Sequence, residues 1–297
     1  MDREMRRGLA LEAAAWAERV RAQCRVQIAA PIDPVDIAEK RGCEVRFSSL
    51  TSLEGIYSPE PRPTIVVGAQ RPAGRRNFNC AHELGHHEFK HGMRVDQLVQ
   101  DKSAQNASPE ELLADMFAGF LLMSQTSVRR ALSERAMQVS TLTEHETFRL
   151  ASFFGVGYGT LINHLTWSLK MINTNQRDRL LRTQPRRLKQ YFGGTPGVEV
   201  ILVDTHWHGR AADLEVRDLL VLPARAALDD CSRFQFVGTV DEQTVYRAQS
   251  PGYTRAFQAQ GGEWAANIRV ARKQFEGIAR YRFLEDPEEE GTPCTAT

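Results

Sequence analysis

The chain has 297 residues, of which 42% are hydrophobic and 25% charged, a composition typical of a soluble globular protein with two or three domains. Its formal net charge of +1 provides no overall field that would attract nucleic acid or a membrane surface. No apolar run approaches the roughly 18 residues of a transmembrane helix, and the charged N-terminus lacks the apolar core of a signal peptide.

The first elements of the chain are predicted to be two helices followed by three strands. Residues 3–24 are rich in Ala, Glu, Arg and Leu and predict a helix. In PIDPVDIAEKRG, Asp33 suits a cap, Pro34 suits the first turn and Gly42 suits a stop, which predicts a short helix. The alternation in CEVRFSSL predicts a strand, and EGIYSPEPRPTIVVG predicts two strands joined by a proline-rich turn.

Two helices with chemically active side chains follow. RRNFNCAHELGHHEFKHG predicts the first of them, and the sequence from about residue 94 to 107 predicts a polar loop. SPEELLADMFAGFLLMS predicts the second, because Ser108 suits a cap and Pro109 the first position, with Glu111 placed to complete a capping box.

The rest of the chain divides into a helical segment, a linker and a β-rich segment by composition and pattern. Residues 127–190 are predicted to be helical and become basic towards their end, and FGGTPG at 192–197 reads as a linker. Beyond the linker, β-like runs alternate with turn residues, and the last 12 residues predict a loose tail. We therefore expect three domains, at residues 1–126, 127–190 and 191–297.

The motif HELGH suggests a metal site. On a helix, His82 and His86 lie on one face because they are four residues apart. Glu83 lies one step round the helix, within reach of a water on the metal. This arrangement is the HExxH motif of zinc hydrolases, in which zinc activates water and polarises a carbonyl while the glutamate transfers the proton. HExxH also arises by chance in roughly one or two of a hundred such sequences. The presence of a third ligand therefore distinguishes a zinc site from a chance match.

Two patterns compete for that third ligand. The metzincin form needs Gly and His three and six residues after the second histidine, but Phe89 and Gly92 stand there. The other form takes a glutamate from a second helix, with an aspartate one turn later to orient a ligand histidine. Glu111 and Asp115 in EELLAD fit this form, whereas Glu110 has Ala114 four residues on. The predicted zinc ligands are therefore His82, His86 and Glu111.

Other candidate ligands near the motif are interpreted as structural. His91 is one residue short of the metzincin position and on a different helical face, and His87 faces away as a surface or core-edge residue. Cys80 is interpreted as a packing residue. A cysteine that fills the fourth zinc position and silences the enzyme is a further possibility, for which Cys294 in the tail is the better placed candidate.

These segments resemble the ImmA/IrrE family of zinc metallopeptidases. The resemblance covers about residues 26–130 and rests on RRNFNCAHELGHH, ELLADMFAGFLLMS, GIYSPEPRPTIVVG and PIDPVDIAEKRGCEV. It implies that His82, His86 and Glu111 bind one Zn²⁺ ion per chain. It also implies that Glu83 is the general base and that Asp115 supports a ligand.

The resemblance also implies a fold and a function. The expected fold is α+β: a zincin-like metallopeptidase domain with a small antiparallel sheet, a helical HTH-like segment and a β-rich, GAF-like sensor domain. The expected activity is cleavage of a helix-turn-helix repressor in a stress, DNA-damage or phage-related response, gated by the sensor domain. The peptide is expected to lie along an edge strand, with Tyr57 as a candidate for steadying the oxyanion.

The five scattered cysteines, without a CxxC pair, favour a cytoplasmic setting.

A second interpretation is a DNA-binding regulator with a structural or regulatory zinc. TFRLASFFGVGYGTLINHL at 147–165 fits a helix-turn-helix with Ala151 and Gly155 at its packed and turn positions. The interpretation we prefer for this segment is a small helical domain that packs on the peptidase or docks a partner. The groove-facing candidates are Tyr158, Thr160, Asn163, His164, Thr166 and Ser168, and the phosphate-contacting candidates are Arg177, Arg179, Arg182, Arg186 and Arg187.

The C-terminal motif DTHWHG is a second, weaker metal candidate. If it formed a strand, Asp204, His206 and His208 would alternate and share one face. A polar strand end before a turn is the interpretation we prefer, because no further cluster supports a metal there.

Overall fold

The structure, a computed structural model, describes residues 3–97, 108–258 and 264–284. It is a mixture of helices and three small sheets. The helices are α1 (Arg3–Gln23), α2 (Pro34–Lys40), α3 (Ala73–Glu88), α4 (Pro109–Leu122), α5 (Gln125–Glu134), α6 (Glu144–Phe154), α7 (Tyr158–Asn163), α8 (Thr174–Leu181) and α9 (Pro185–Tyr191). Short 3-10 helices occur at Val139–Thr141 and Ala279–Tyr281, and a π-helical turn at His164–Ser168.

The strands fall mainly in the C-terminal third. They are β1 (Glu44–Ser48), β2 (Leu53–Ser58), β3 (Thr64–Gly68), β4 (Arg94–Gln97), β5 (Val200–Leu202), β6 (Ala212–Glu215), β7 (Leu219–Leu222), β8 (Ala226–Leu228), β9 (Phe234–Val240), β10 (Gln243–Ala248), β11 (Gly252–Gln258), β12 (Ala265–Ala271) and β13 (Gly277–Ile278). None of the helices in the described ranges combines the length and apolar composition needed to cross a membrane.

The first sheet has the order β13-β1-β3-β2-β4 and is mixed rather than antiparallel, so the prediction of an antiparallel sheet is wrong. β2 and β3 form an antiparallel hairpin, while β1 pairs with the other side of β3 in parallel. The reason is the tight reversal between β1 and β2. Because each of the two connections turns the chain round, β1 and β3 run in the same direction.

The predicted polar loop at 94–107 is also partly wrong, because its first residues form β4. Ile56 and Tyr57 of β2 pair with Val95 and Arg94 of β4. Main-chain pairing with the edge of β2 makes this segment a strand, and its polar side chains do not reveal that pairing. Residues 98–107 of the predicted loop lie outside the described residues.

The predicted helix starts are observed. The Asp33 side chain accepts a hydrogen bond from Val35 N at 2.9 Å, and Gly42 ends α2 with φ +87°. The Ser108 hydroxyl accepts from Glu111 N at 3.2 Å. The Glu111 carboxylate, which a complete capping box would turn back to Ser108, lies instead beside His82 and His86.

The helices around the first sheet form the frame of the site. α1 packs on α4, α4 packs on α3, and α3 packs on β2 and β3. The Glu88 carboxylate at the end of α3 accepts hydrogen bonds from Trp16 of α1 at 3.0 Å and from Arg41 at 2.6 Å. The end of α3 is therefore fixed by two neighbouring parts of the chain.

The C-terminal part has the predicted β-rich character. Two four-stranded sheets have the orders β5-β7-β10-β9 and β6-β12-β11-β8, while β13 returns to pair with β1. Arg269 forms a salt bridge with Asp33, and Arg76 forms one with Glu215. Buried apolar residues form one contiguous cluster from Ala13 to Ala279. The GAF-like and zincin-like assignments and the domain boundaries at 126 and 190 stay predictions.

Candidate metal centre

The two histidines of the HELGH motif converge inside the protein. His82 and His86 lie on successive turns of α3, and their Nε2 atoms are 3.0 Å apart. His82 is 5% exposed and His86 is fully buried. Two imidazole nitrogens this close, away from solvent, form the beginning of a metal-binding group.

A carboxylate from α4 completes the group. The Glu111 oxygens lie 3.4 Å from His82 Nε2 and 3.5 Å from His86 Nε2, and the ligand atoms of the three residues lie within 4.8 Å of one another. Glu110, the competing candidate, forms a salt bridge with Arg94 of β4. The structure therefore brings Glu111 and not Glu110 to the histidines.

A glycine in the motif allows α4 to come this close to α3. A Cβ atom at Gly85 would lie 3.1 Å from Ala114 Cα and 3.1 Å from Phe117 Cδ1. Any larger residue at this position would push α4 outwards and move Glu111 away from the histidines. The central glycine of HELGH thus serves helix packing, while its neighbours provide the polar groups.

Each histidine has a partner for its other ring nitrogen. His82 Nδ1 lies 2.8 Å from Asp115 Oδ1, and His86 Nδ1 lies 2.9 Å from His91 Nδ1. A metal-binding Nε2 requires the proton to be on Nδ1, so both rings would donate from Nδ1. Burial lowers the pKa of His91, which favours the neutral ring that can accept this hydrogen bond.

The contact between His91 and His86 was not predicted from the sequence. A continuous helix predicts a different helical face for His91, but α3 ends at Glu88 and the chain turns through Lys90, whose φ is +57°. His91 N then donates to His86 O at 3.0 Å, which folds the His91 ring back onto His86. The density of histidines in this segment was the only sequence signal for this contact.

Replacing His91 with Ala is expected to weaken metal binding by roughly 10- to 100-fold, the range typical of partners that orient a ligand. The His86 ring would lose the acceptor that fixes its tautomer and orientation. Zinc affinity measured by competition with a chromophoric chelator tests this. The matched control is His145→Ala, which removes a histidine remote from the ligand group in sequence and should leave the affinity unchanged.

The Glu83 carboxylate packs against strand β2. Glu83 is 1% exposed, and a Cβ atom at Gly55 would lie 2.2 Å from its Oε1 atom. Strand β2 is held on α3 by Glu54, whose Oε2 accepts from Asn79 Nδ2 at 2.8 Å and from Arg75 Nε at 3.0 Å. Gly55 therefore provides the space for Glu83, a role that the sequence analysis did not assign.

We expect Gly55→Ala to destabilise the fold by about 1–3 kcal/mol through the clash with Glu83, as in other overpacked sites. The same substitution in a Glu83→Ala background should cost much less, because the methyl group would occupy the space left by the carboxylate. Chemical denaturation of the four proteins of this double-mutant cycle gives the coupling energy. Gly238→Ala is the control, since a Cβ atom there meets nothing within 4 Å. Additive effects would contradict the proposed contact.

Tyr57, the candidate for the oxyanion, has a different partner. Its hydroxyl lies 3.0 Å from His87 Nδ1, and burial raises the pKa of the phenol. His87 is half-buried, and burial lowers its pKa. An oxyanion role for Tyr57 stays a prediction that requires the hydroxyl to leave His87.

The cysteine candidates do not join the metal-binding group. Cys80 is 1% exposed in the core, and burial raises the pKa of its thiol well above the usual value, which favours the inert protonated form. Cys294 lies outside the described residues. Within the described ranges, His82, His86 and Glu111 are the one group of three or more potential ligands that lie together.

The DTHWHG segment is not a strand, so its side chains do not share a face in the way that alternation predicts. β5 ends at Leu202, and the Asp204 carboxylate accepts from Arg135 at 2.7 and 3.0 Å. It also accepts from His206 N at 3.0 Å. Asp204 thus fixes a turn and an ion pair.

The predicted helix-turn-helix segment forms two helices joined at Gly155, but half of its predicted groove-facing residues are buried. α6 ends at Gly155, whose φ is +65°, and α7 follows. Tyr158, His164 and Thr166, three of the six predicted groove-facing residues, are buried. Their side chains bond to main-chain carbonyls of Leu180, Met123 and Ile162, respectively. Burial lowers the pKa of His164 to about 4, so its ring is neutral.

Two histidines one turn apart, a glutamate between them and a carboxylate from a second helix form a possible metal site with the spacing of HExxH-type metallopeptidases. Consistent with this class, residues 38–166 match the family model Peptidase_M78, described as the IrrE N-terminal-like domain. The predicted resemblance to the ImmA/IrrE family is thereby confirmed for this part of the chain, which carries a domain that matches the family model. The match covers both ligand helices and continues through α7. A comparison with curated proteins finds no match.

Proposed function

We propose that this chain is a zinc-dependent endopeptidase. The observation that carries the proposal is the convergence of His82, His86 and Glu111 within 4.8 Å, next to the buried Glu83. Two imidazoles and one carboxylate are the donor set of catalytic zinc sites, which keep a position for water, whereas structural sites use four protein ligands. Asp115 and His91 support this fit because they hold both ligand rings with Nε2 towards the metal position.

The residues of the chain have distinct roles in the proposed reaction. Bound zinc would supply the positive charge that acidifies water and polarises the scissile carbonyl. Glu83 accepts the proton of the attacking water and then donates it to the leaving amine. Gly55 keeps β2 against the Glu83 carboxylate, so that the carboxylate is restrained from turning away from the histidines.

The substrate peptide would bind in an extended form along the first sheet. In the described residues, β4 is the terminal strand on the side of β2, which packs against Glu83. Its main chain offers hydrogen bonds to an added strand, which binds a peptide with little demand on its sequence. An endopeptidase that acts on a folded partner needs such a surface for an exposed loop.

We further propose that the substrate is a helix-turn-helix repressor in a stress, DNA-damage or phage-related response. This part rests on the family resemblance. The region after residue 190 is proposed to gate cleavage. The support for gating is direct contact, since β13 pairs with β1 and Arg269 forms a salt bridge with Asp33 at the start of α2. A change in the C-terminal sheets would act on the sheet that carries Gly55.

The alternative function, a DNA-reading regulator with a structural or regulatory zinc, is disfavoured by burial of predicted groove-facing residues. Tyr158, His164 and Thr166, half of the predicted groove-facing residues, are buried and bonded to main-chain carbonyls, so their side chains do not face a DNA groove. Sequence reading in a major groove requires several exposed side chains from one helix.

A substrate trap tests the proposed function. Tagged Glu83→Gln protein would be expressed in the native host with and without DNA damage, and proteins that co-purify would be identified. We expect a repressor to co-purify, and we expect the wild-type chain to cleave it. A chelator should stop this cleavage, and added zinc should restore it. Recovery of DNA without a protein partner would favour the regulator instead.

A further inference from the structure

Helices α8 and α9 form an unusually cationic part of a nearly neutral protein. From Lys170 to Lys189 the chain has seven Lys or Arg residues and one acid, Asp178, giving a formal charge of +6. The whole chain carries +1, so the remainder is net acidic. An anionic partner would therefore be drawn to this stretch rather than to the molecule in general.

Three of these cations have exposed side chains without partners. Arg182, Arg186 and Arg187 are exposed, and no ion pair or side-chain hydrogen bond joins them to other described residues. By contrast, Lys189 pairs with Glu199 at 2.7 Å, and Arg177 pairs with Asp178 at 2.8 Å. The three free guanidinium groups present paired N–H donors, which match phosphate oxygens better than a lysine does.

An exposed aromatic ring lies next to one further cation of this stretch, Arg177. Trp167 is 58% exposed, and the Arg177 guanidinium carbon lies 5.5 Å from the centre of its ring. An exposed indole beside an arginine is a surface on which an unpaired base can stack, with cation–π support. We name Trp167, Arg177, Arg182, Arg186 and Arg187 the basic surface.

We propose that the basic surface binds single-stranded nucleic acid without sequence preference. The arginines would contact phosphates and Trp167 would stack on a base. The burial of Tyr158, His164 and Thr166 argues against groove reading in a duplex. A membrane partner is disfavoured because Trp167 and Tyr191 are the large apolar side chains exposed between residues 164 and 192, whereas membrane-surface helices expose an aliphatic face. The proposal is independent of the peptidase activity.

Fluorescence anisotropy with the full chain tests this proposal. The probes are labelled oligothymidylate of about 20 nucleotides, long enough for one ssDNA site, and a duplex of equal length. We expect tighter binding to the single strand and a linear fall of log affinity with log salt. Trp167→Ala should weaken single-strand binding roughly tenfold, as for one lost stack, with a smaller effect on the duplex.

Charge reversal locates the binding site. The triple variant Arg182→Glu/Arg186→Glu/Arg187→Glu should reduce the salt slope by about two, since each lost phosphate contact contributes about 0.7. The triple variant Arg3→Glu/Arg6→Glu/Arg7→Glu changes the total charge equally, at exposed positions of α1, and should retain most of the affinity. Circular dichroism melting would verify that both variants are folded.

Three results would overturn the proposal. One is the absence of oligothymidylate binding at 50 mM salt, and another is an equal loss of affinity in both triple variants. The third is binding of polyglutamate or of phosphatidylserine vesicles at least as tight as binding of the oligonucleotide. Tight polyglutamate binding would assign the surface to an acidic protein, and tight vesicle binding would assign it to a membrane.

Discussion

Glu83→Gln is expected to lower the rate of peptide cleavage by about 10²- to 10⁴-fold, the usual contribution of a general base, while zinc stays bound. Glutamine has nearly the same shape as glutamate, so it fits the space beside Gly55 without moving β2. Its amide cannot accept a proton from water. The expected loss is therefore in catalysis, and the three proposed zinc ligands are unchanged.

The measurement combines cleavage of the trapped partner with zinc content by mass spectrometry. The matched control is Glu110→Gln, which makes the same chemical change at the residue next to Glu111, on an exposed carboxylate that pairs with Arg94. The control should cut normally. Cleavage by Glu83→Gln at the wild-type rate would show that another group moves the proton and would refute the proposed mechanism.

Glu111→Ala is expected to weaken zinc binding by more than about 100-fold, beyond the effect of removing an orienting partner. Two histidines alone would remain, and cleavage would be lost at ordinary zinc concentrations. The fold should persist, because the Ser108 hydroxyl bonds to the main-chain N of residue 111, which the substitution retains.

Zinc-dependent thermal stability provides an independent readout for Glu111→Ala. Zinc bound to the native state alone raises the melting temperature of the wild-type chain. This shift should disappear in Glu111→Ala and remain in Glu110→Ala, which serves as the neighbouring control. An unchanged zinc affinity in Glu111→Ala would mean that the ligand assignment is wrong, whereas loss of affinity in both variants would indicate a disturbed α4.

The sequence predicted those features of the site that depend only on residues close together in the chain. The i, i+4 spacing places His82 and His86 on one helical face in any helix, and Ser108 with Pro109 marks where the second helix begins. The choice of Glu111 over Glu110 also followed from spacing, because only Glu111 has an aspartate one turn later. These inferences needed the identity and spacing of residues but no knowledge of long-range packing.

Errors in the sequence reading arose where contacts join distant or irregular segments. The mixed order of the first sheet depends on which side of β3 each neighbour takes, and β4 depends on a free edge of β2. Two of the predicted groove-facing residues, Tyr158 and His164, are buried because they bond to carbonyls of α8 and of the residue after α4. A helical pattern shows which residues share a face, but not which face another element covers.

The sequence by itself predicted the proposed metal ligands, the proposed base and the resemblance to the IrrE N-terminal-like family model that residues 38–166 match. Only the tertiary structure decided how these groups are held. It turned His91 back onto His86, placed Gly55 against Glu83, and joined the C-terminal strands to the peptidase sheet through β13. The physical reason is that ligand type and helical spacing are fixed by local covalent geometry, whereas orientation and burial depend on the packing of the whole chain.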